Sequence, residues 1–361
     1  MSSSPKSSEY YLERITLLIL LLAAFFVRII GATYARMPHY TIDSYNYIWQ
    51  ADILRNGGYS NYFPNGYPLI ILLVSLFSPL ETGLLWLNII LSLFTVLFVY
   101  LIAKGLTRNI KIALLCAAIV TLYPNQVNYV HFILTEVPCT FFLALSVYLF
   151  QKEKLAYSGL AMGAALIIRT TIVFVPVILF VYLFLNSRKK ESIIYFISFL
   201  IIPVSLMLYG YFVSGDFTLG RNFTHNIYVT IKQPYKISYT KIQGVVAYCN
   251  AFISSPVQFL SDRLRSFWNL WGFLPYQADG FRGGLAYRLL VGLRFPLLIL
   301  GIYGWLKSAK NSIPLLLILP AVSITIIHTL FFSSTRFTFP AEPFLIILAV
   351  IGIRKILRNN V

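Results

Sequence analysis

Acidic side chains are scarce in this chain, 12 Asp and Glu against 29 Lys and Arg, so the few that sit among polar and aromatic neighbours narrow the chemistry. Asp43 lies in Tyr40-Thr41-Ile42-Asp43-Ser44-Tyr45. A carboxylate there could remove a proton from an acceptor hydroxyl as a general base. It could equally cap the helix that follows, since Asp and Ser favour that position. Glu136 opens an apolar stretch, with Pro138 two residues on. Acids suit a helix N-terminus and Pro its first turn; the chemical reading makes Glu136 a second carboxylate facing Asp43, holding an acceptor or a cation. Arg169 sits between two short apolar runs, and Arg336, in Ser334-Thr335-Arg336-Phe337, just precedes the last one. A cation at a helix start gains nothing from the helix dipole. Both arginines either snorkel to a membrane boundary or clamp an anion there, such as a lipid phosphate.

Two histidines flank these acids, His39 near Asp43 and His131 near Glu136. Their spacing matches no established ligand pattern, so a satisfied histidine at the membrane boundary is the expectation for each. No cofactor is assigned, and a divalent metal is left open. Nothing resembles a Walker A loop, a G-x-G-x-x-G turn or an Asp-x-Asp nucleotide-sugar motif, which argues against an ATP-driven pump and a cytosolic nucleotide-sugar enzyme. Cys116, Cys139 and Cys249 form neither a C-x-x-C pair nor an even set, so they imply no disulfide framework and no zinc site.

Composition says what must position these groups. Of the 361 residues 58% are hydrophobic and 11% charged, with a mean hydropathy of +0.76; a soluble domain carries about 25% charged residues. These proportions exclude a water-soluble enzyme, a disordered chain and a disulfide-stapled secreted module. They predict an all-α, polytopic bundle of transmembrane helices. The formal charge of +17 is spread in ones to threes between apolar runs, the pattern of membrane topology, and nucleic acid is not an expected partner.

A span takes about 20 apolar residues. Ten runs are read as spans, several of them short: 15–33, 83–103, 112–127, 134–150, 155–169, 170–186, 192–212, 286–306, 312–332 and 338–354. The first is expected to be an uncleaved anchor, interrupted near its far end by Arg28. The run 67–79 is too short to cross and is placed as a re-entrant or interfacial piece. Only then do Lys104, Arg108 and Lys111 share a side with Lys152 and Lys154, Arg188-Lys189-Lys190, Lys307 and Lys310, and Arg354, Lys355 and Arg358. This parity puts both termini in the cytoplasm of a multi-pass plasma-membrane protein, with 1–361 as one membrane domain. Two large segments, 34–82 and 213–285, are left outside. In the first, Tyr45, Ile48, Trp49 and Ile53 recur at helical spacing, as expected of a helix lying in the membrane interface, and Asn56-Gly57-Gly58 ends it.

Loose motifs follow one another along this frame. Arg28 is followed by Asp43-Ser44-Tyr45-x-Tyr47 and Gly57-Gly58, then by Gly66-Tyr67-Pro68 and Leu134-Thr135-Glu136. Next come Gly159-Leu160-x-x-Gly163 with Arg169-Thr170, Ser214-Gly215-Asp216-Phe217, and His328 ahead of Arg336-Phe337-x-x-Pro340-x-x-Pro343. In this order and at these places they resemble the GT-C superfamily of integral-membrane glycosyltransferases. The likeness is to the protein-mannosyltransferase and aminoarabinose-transferase branch, and it runs over nearly the whole chain. The resemblance implies transfer of a monosaccharide from a polyprenyl-phosphate donor to a hydroxyl of a glycan, lipid or protein. Transfer would occur on the extracytoplasmic face, with inversion and without a nucleotide. It implies Asp43 as base, Glu136 as supporting acid and Arg169 and Arg336 on the donor phosphate. Tyr45, Tyr47, Tyr67, His131, Arg221 and His328 are candidate donor or acceptor contacts. Ser44 stands where the family often has Glu, and Asn65-Gly66 replaces an acid and a Lys before Pro68, which leaves metal dependence open.

Two other functions use much the same ligands. A flippase of lipid-linked sugars would place ionisable residues near mid-membrane, whereas here they gather at the ends of spans. A polymerase or ligase of surface polysaccharide would lean on a large outer loop rich in Arg and His. The segment 213–285, with Arg221, His225, Arg263, Arg265 and Arg282, is compatible with that reading.

Overall fold

A computed structural model of the chain describes residues 6–34, 40–221, 241–272, 292–308 and 312–359. Among them every regular element is helical, as lipid demands of a backbone that has no water to bond. The first half runs α1 (Lys6–Tyr34), α2 (Ile42–Arg55), α3 (Gly66–Ser75), α4 (Leu80–Thr107), α5 (Ile110–Leu122) and α6 (Pro124–Asn128). It continues through α7 (Glu136–Gln151), α8 (Leu155–Ile168), α9 (Phe174–Leu185) and α10 (Lys189–Ser214). The second half has α11 (Lys241–Ser254), α12 (Pro256–Trp271), α13 (Arg294–Leu306), α14 (Ser312–Leu330) and α15 (Glu342–Asn359). Short 3-10 segments occupy Tyr129–His131, Thr170–Ile172 and Thr335–Ala341.

Among the described residues five stretches are long and apolar enough to cross a bilayer unaided: Tyr11–Thr33, Leu80–Thr107, Lys189–Ser214, Ser312–Leu330 and Thr335–Arg358. Each run read as a span carries helix in its described part, yet α7, α8, α9 and α13 are shorter than that criterion asks. The run 112–127 departs from expectation. It is not one straight span but a pair, Ile110–Leu122 and Pro124–His131, bent by 56°. Pro124 explains the break, because a proline pushes the residue before it out of the helical region, and Tyr123 is extended (φ −65°, ψ 122°). Residues 286–291 of the eighth run lie outside the described residues.

The short apolar run after Pro64 forms α3, about 15 Å long at 1.5 Å per residue and too short to cross. It packs against α2, α4 and α8. Its start touches the end of α8 so closely that a Cβ on Gly66 would sit 2.5 Å from the Ile167 carbonyl carbon. Gly159 and Gly163 of α8 do the same for α10: a Cβ on Gly163 would lie 2.6 Å from Phe199 O, and one on Gly159 would press on Tyr195 O. Small residues four apart let two membrane helices approach backbone to backbone. Gly159→Leu is expected to lower the melting midpoint in detergent by about 1–3 kcal/mol worth of stability, the usual cost of overpacking. A variant that melts like the wild type would show that α8 and α10 can separate freely.

Arg28 is fully buried, and its guanidinium ties α1 to α4 and α5. It donates to Ser92 Oγ (2.5 Å), to Thr121 O (3.4 Å) and to its own turn at Ala24 O (3.1 Å). α7 and α15 begin, and α8 and α14 end, at the end of the bundle where α2 and α3 lie. The helix ends away from α2 carry Lys104, Arg108, Lys111, Lys152, Lys154, Arg188, Lys189, Lys190, Lys307, Arg354, Lys355 and Arg358.

Candidate active site

Helix α2 is capped by Thr41. Ser44 N donates to Thr41 Oγ1 (3.2 Å) and Thr41 N to Ser44 Oγ (3.0 Å), a reciprocal capping box. Asp43 is therefore not the cap that its residue type suggests. Its carboxylate accepts instead from Arg336 Nη2, 293 positions away in sequence. Ser44 Oγ also donates to Ile133 O (2.9 Å), pinning α2 to the strand of chain that leads into Glu136. The inner face of α2 is Ser44, Tyr47, Gln50, Ala51 and Leu54, while Ile42, Tyr45 and Trp49 are exposed. Gln50 braces the loop beyond α2, donating to Ser60 O and Phe63 O (3.1 Å each) and accepting from Phe63 N (3.1 Å).

Glu136 is the first residue of α7 and is buried. Its Oε1 lies 3.0 Å from Arg169 Nη1 and 4.0 Å from Arg336 Nε. Its Oε2 is buried and accepts from no described group. Arg169 follows the last turn of α8 in an extended conformation, at the negative end of that helix, where a cation is favoured. It also donates to Thr135 Oγ1 (3.0 Å). Both guanidinium groups lie over the Phe337 ring, at 4.9 Å for Arg169 and 5.2 Å for Arg336, so one aromatic face spaces the two cations. His328 stacks on the same ring (4.0 Å, 17°). Its Nδ1 is 2.7 Å from Phe332 O; a carbonyl can only accept, so Nδ1 carries the proton. Nε2 is then a lone-pair acceptor, buried and with no partner among the described residues.

These groups enclose a cavity of about 330 Å³, lined by Asp43, Tyr47, Glu136, Arg169, His328 and Arg336 and walled by Tyr62, Phe63, Pro64, Phe332 and Phe337. Burial pushes the Tyr47 phenol up, and the Asp43 and Glu136 carboxylates push the same way. Tyr62 is raised by burial and by Asp43. Both phenols thus stay protonated.

Four of the sequence candidates do not line it. Tyr45 is exposed and stacks on Tyr40 (5.2 Å). Tyr67 lies edge-on against Tyr47 (5.1 Å), away from the opening, and His131 is buried against Phe132 (4.5 Å). Arg221 pairs with Asp216, and its amide donates to Asn61 O (2.6 Å). His39, His225 and Arg282 lie outside the described residues. Asn46, Tyr62 and Thr171 line the cavity without having been singled out, and Thr135 and Thr170, quoted only as parts of motifs, line it too.

The turn Thr335–Ala341 that carries Arg336 and Phe337 is 3-10, a weak element by itself. Buried Glu342 holds it. Its carboxylate accepts from Asn125 Nδ2 (2.7 Å), Gln126 Nε2 (3.2 Å) and Thr338 Oγ1 (2.9 Å). Gln126 also reaches Phe339 O (3.1 Å), and Arg294 Nη1 donates to Thr335 O (2.6 Å). Glu342→Leu strands these donors in the interior at about 1–3 kcal/mol per group. It is expected to lower the melting midpoint well below that of Glu342→Gln, which keeps one acceptor oxygen; equal melting of the two would contradict the role.

Among the described residues no three His, Cys, Asp or Glu side chains gather as a metal site. Asp43 and Glu136 face arginines instead, and two guanidinium groups beside two carboxylates neutralise the charge a divalent cation would need. Among the described residues, the donors around the cavity form no metal-binding group.

Residues 64–209 match the family described as dolichyl-phosphate-mannose-protein mannosyltransferase. The matched stretch holds Glu136 and Arg169 but neither Asp43 nor Arg336. No curated protein sequence matches the chain. The fold is similar to that of the archaeal oligosaccharyltransferase AglB from Archaeoglobus fulgidus. Its complex with an inhibitory peptide and a dolichol-phosphate aligns at a TM-score of 0.58 and 12% identity, covering 99% of this chain and 52% of that one. The same enzyme tethered to an acceptor peptide aligns at 0.59 and 12%, covering 97% and 50%. Its complex with Zn and sulfate aligns at 0.50 and 14%, covering 96% and 49%. The chain spans about half the length of these structures. The all-α, GT-C-type fold and the resemblance to that superfamily are thus both borne out.

Proposed function

We propose that the chain is a glycosyltransferase that moves a sugar from a polyprenyl-phosphate donor to a hydroxyl acceptor at the end of the bundle bearing α2. The observation that carries this reading is the convergence of Asp43, Glu136, Arg169 and Arg336 on one cavity. They come from four separate elements and alternate in charge. The distribution of cations supports an extracytoplasmic site, because the helix ends away from the cavity hold the Lys and Arg clusters that short cytoplasmic loops collect.

In the step proposed, the donor phosphate takes Arg169 and Arg336 as its cationic cradle. Arg336 then exchanges Asp43 for phosphate oxygen, and the freed Asp43 carboxylate accepts the proton of the acceptor hydroxyl. The acceptor oxygen attacks the anomeric carbon as the carbon–phosphate oxygen bond breaks. Polyprenyl phosphate departs as a dianion, and the configuration at the sugar inverts. Fixed cations at the place where negative charge develops are the largest single contribution to such a reaction. Glu136 Oε2 and His328 Nε2, both lacking a described partner, are the acceptors offered to sugar hydroxyls.

Turnover in proteoliposomes, with a panel of polyprenyl-phosphate monosaccharides, tests the reading. Consumption of one donor, with release of polyprenyl phosphate and undiminished by EDTA, is the expected result. Movement of labelled donor across the bilayer without its consumption would replace this function by a flippase. Consumption only of a lipid-pyrophosphate oligosaccharide would replace it by a polysaccharide polymerase or ligase.

A further inference from the structure

At the opposite end of the bundle from the cavity, the last turns of α4, α13 and α15 and the first of α14 surround a groove of about 610 Å³. Lys307, Arg354, Lys355 and Arg358 line it, with Leu106, Leu306, Pro314 and Ile351 as its apolar wall. No acidic side chain lines it, and among the described residues none of these four cations forms an ion pair. Lys355 Nζ donates to Lys307 O, which closes one side of the groove and brings α15 against the end of α13. Membrane orientation asks only for basic residues on a given side. It does not ask that cations from two helices converge on one concave site.

We infer that this groove binds the phosphate headgroup of an anionic phospholipid of the surrounding leaflet. The setting selects a lipid over a soluble anion. Leu306, Ile353, Ile356 and Leu357 are exposed beside the cations, so the groove opens sideways onto the hydrocarbon-facing surface as well as outward. Lys307 lies over the Tyr303 ring (5.7 Å), an aromatic at the depth where headgroups sit. Basic pockets between membrane helices on the cytoplasmic side are suited to such headgroups, each cation adding to the attraction. Arg354 and Arg358 are one turn apart on α15 and present two planar forks to one phosphate. A bound headgroup would staple α13 and α15 at their far ends. These two helices already meet closely along their length, for a Cβ on Gly301 would lie 2.8 Å from Leu345 Cδ2.

The test is the melting midpoint of the purified chain in an uncharged detergent, titrated with dioleoyl phosphatidylglycerol or with dioleoyl phosphatidylcholine. A ligand that binds only the folded state raises the midpoint saturably. Phosphatidylglycerol is expected to do so and phosphatidylcholine not. Arg354→Gln with Arg358→Gln should weaken the response about tenfold, whereas Lys189→Gln with Lys190→Gln, removing two charges from the same end of the bundle, should leave it unchanged. If the first double variant fails to accumulate, Arg358→Gln alone is expected to weaken binding about threefold. Equal loss in both double variants would reduce the effect to net charge. Inorganic phosphate matching the lipid would make the site one for a free anion. No difference between the two lipids would remove the site altogether. None of these readouts involves sugar transfer, so the groove stands or falls separately from the proposed reaction.

Discussion

Asp43→Asn is expected to lower donor turnover by about 10²–10⁴-fold, the range that a positioned general base contributes, while leaving expression and melting nearly unchanged. The structure sharpens what that variant removes. Helix α2 keeps its cap, because Thr41 and Ser44 supply it, so the substitution takes away only the base and one ion pair. The pair with Arg336 is partly exposed, at 26% for Asp43 and 17% for Arg336, and such pairs contribute on the order of 1 kcal/mol or less. The amide of Asn can still accept from Arg336. Full turnover in Asp43→Asn would end the assignment of Asp43 as base. A large fall in melting would mean that the carboxylate holds the cavity together.

Arg169→Met is expected to fail in the opposite manner, by losing stability as well as activity. Arg169 and Glu136 are buried, with side-chain exposures of 9% and 2%. Removing the cation leaves a carboxylate in the interior with much of its compensation gone, at about 3–5 kcal/mol. The double variant Arg169→Met with Glu136→Gln removes both charges and is expected to recover a large part of that loss without recovering turnover. Melting and donor consumption, measured side by side on the two singles and the double, separate the roles. A double variant as unstable as the sum of its singles would show that the pair is not coupled.

Much of this architecture could be read from composition and pattern, and the residues that could not be read are instructive. The stripe Tyr45, Ile48, Trp49 and Ile53 located α2. In a soluble protein that stripe would mark the inner face. Here Tyr45 and Trp49 point out while Tyr47 and Gln50 point in, the order expected of a helix whose apolar side faces a bilayer. Tyr45 and Tyr47 were therefore indistinguishable as candidates until the helix was placed. Thr41, Asp43 and Ser44 are all competent caps within four positions, and only the backbone tells which one is used. The four charged groups could be named singly because ionisable residues beside apolar runs are few. Their pairing could not, since Asp43 and Arg336 are 293 residues apart and nothing local couples them. Glu342 looked like an ordinary acid at a helix start; two of its three hydrogen bonds come from the segment after Pro124, a tertiary fact without a local trace, and the third from Thr338, four residues before it.

The Asp43–Arg336 contact also dates the site within the life of the chain. Ribosomes extend a polypeptide at about 5–20 residues per second, so the 293 positions between these partners represent on the order of 15–60 s of synthesis. Arg169 follows Asp43 by 126 positions, so for the first part of that interval neither arginine of the cradle exists, and for the rest of it Arg336 is still missing. On the proposed reading, the cradle cannot take its donor before α14 and the turn that carries Arg336 have been made.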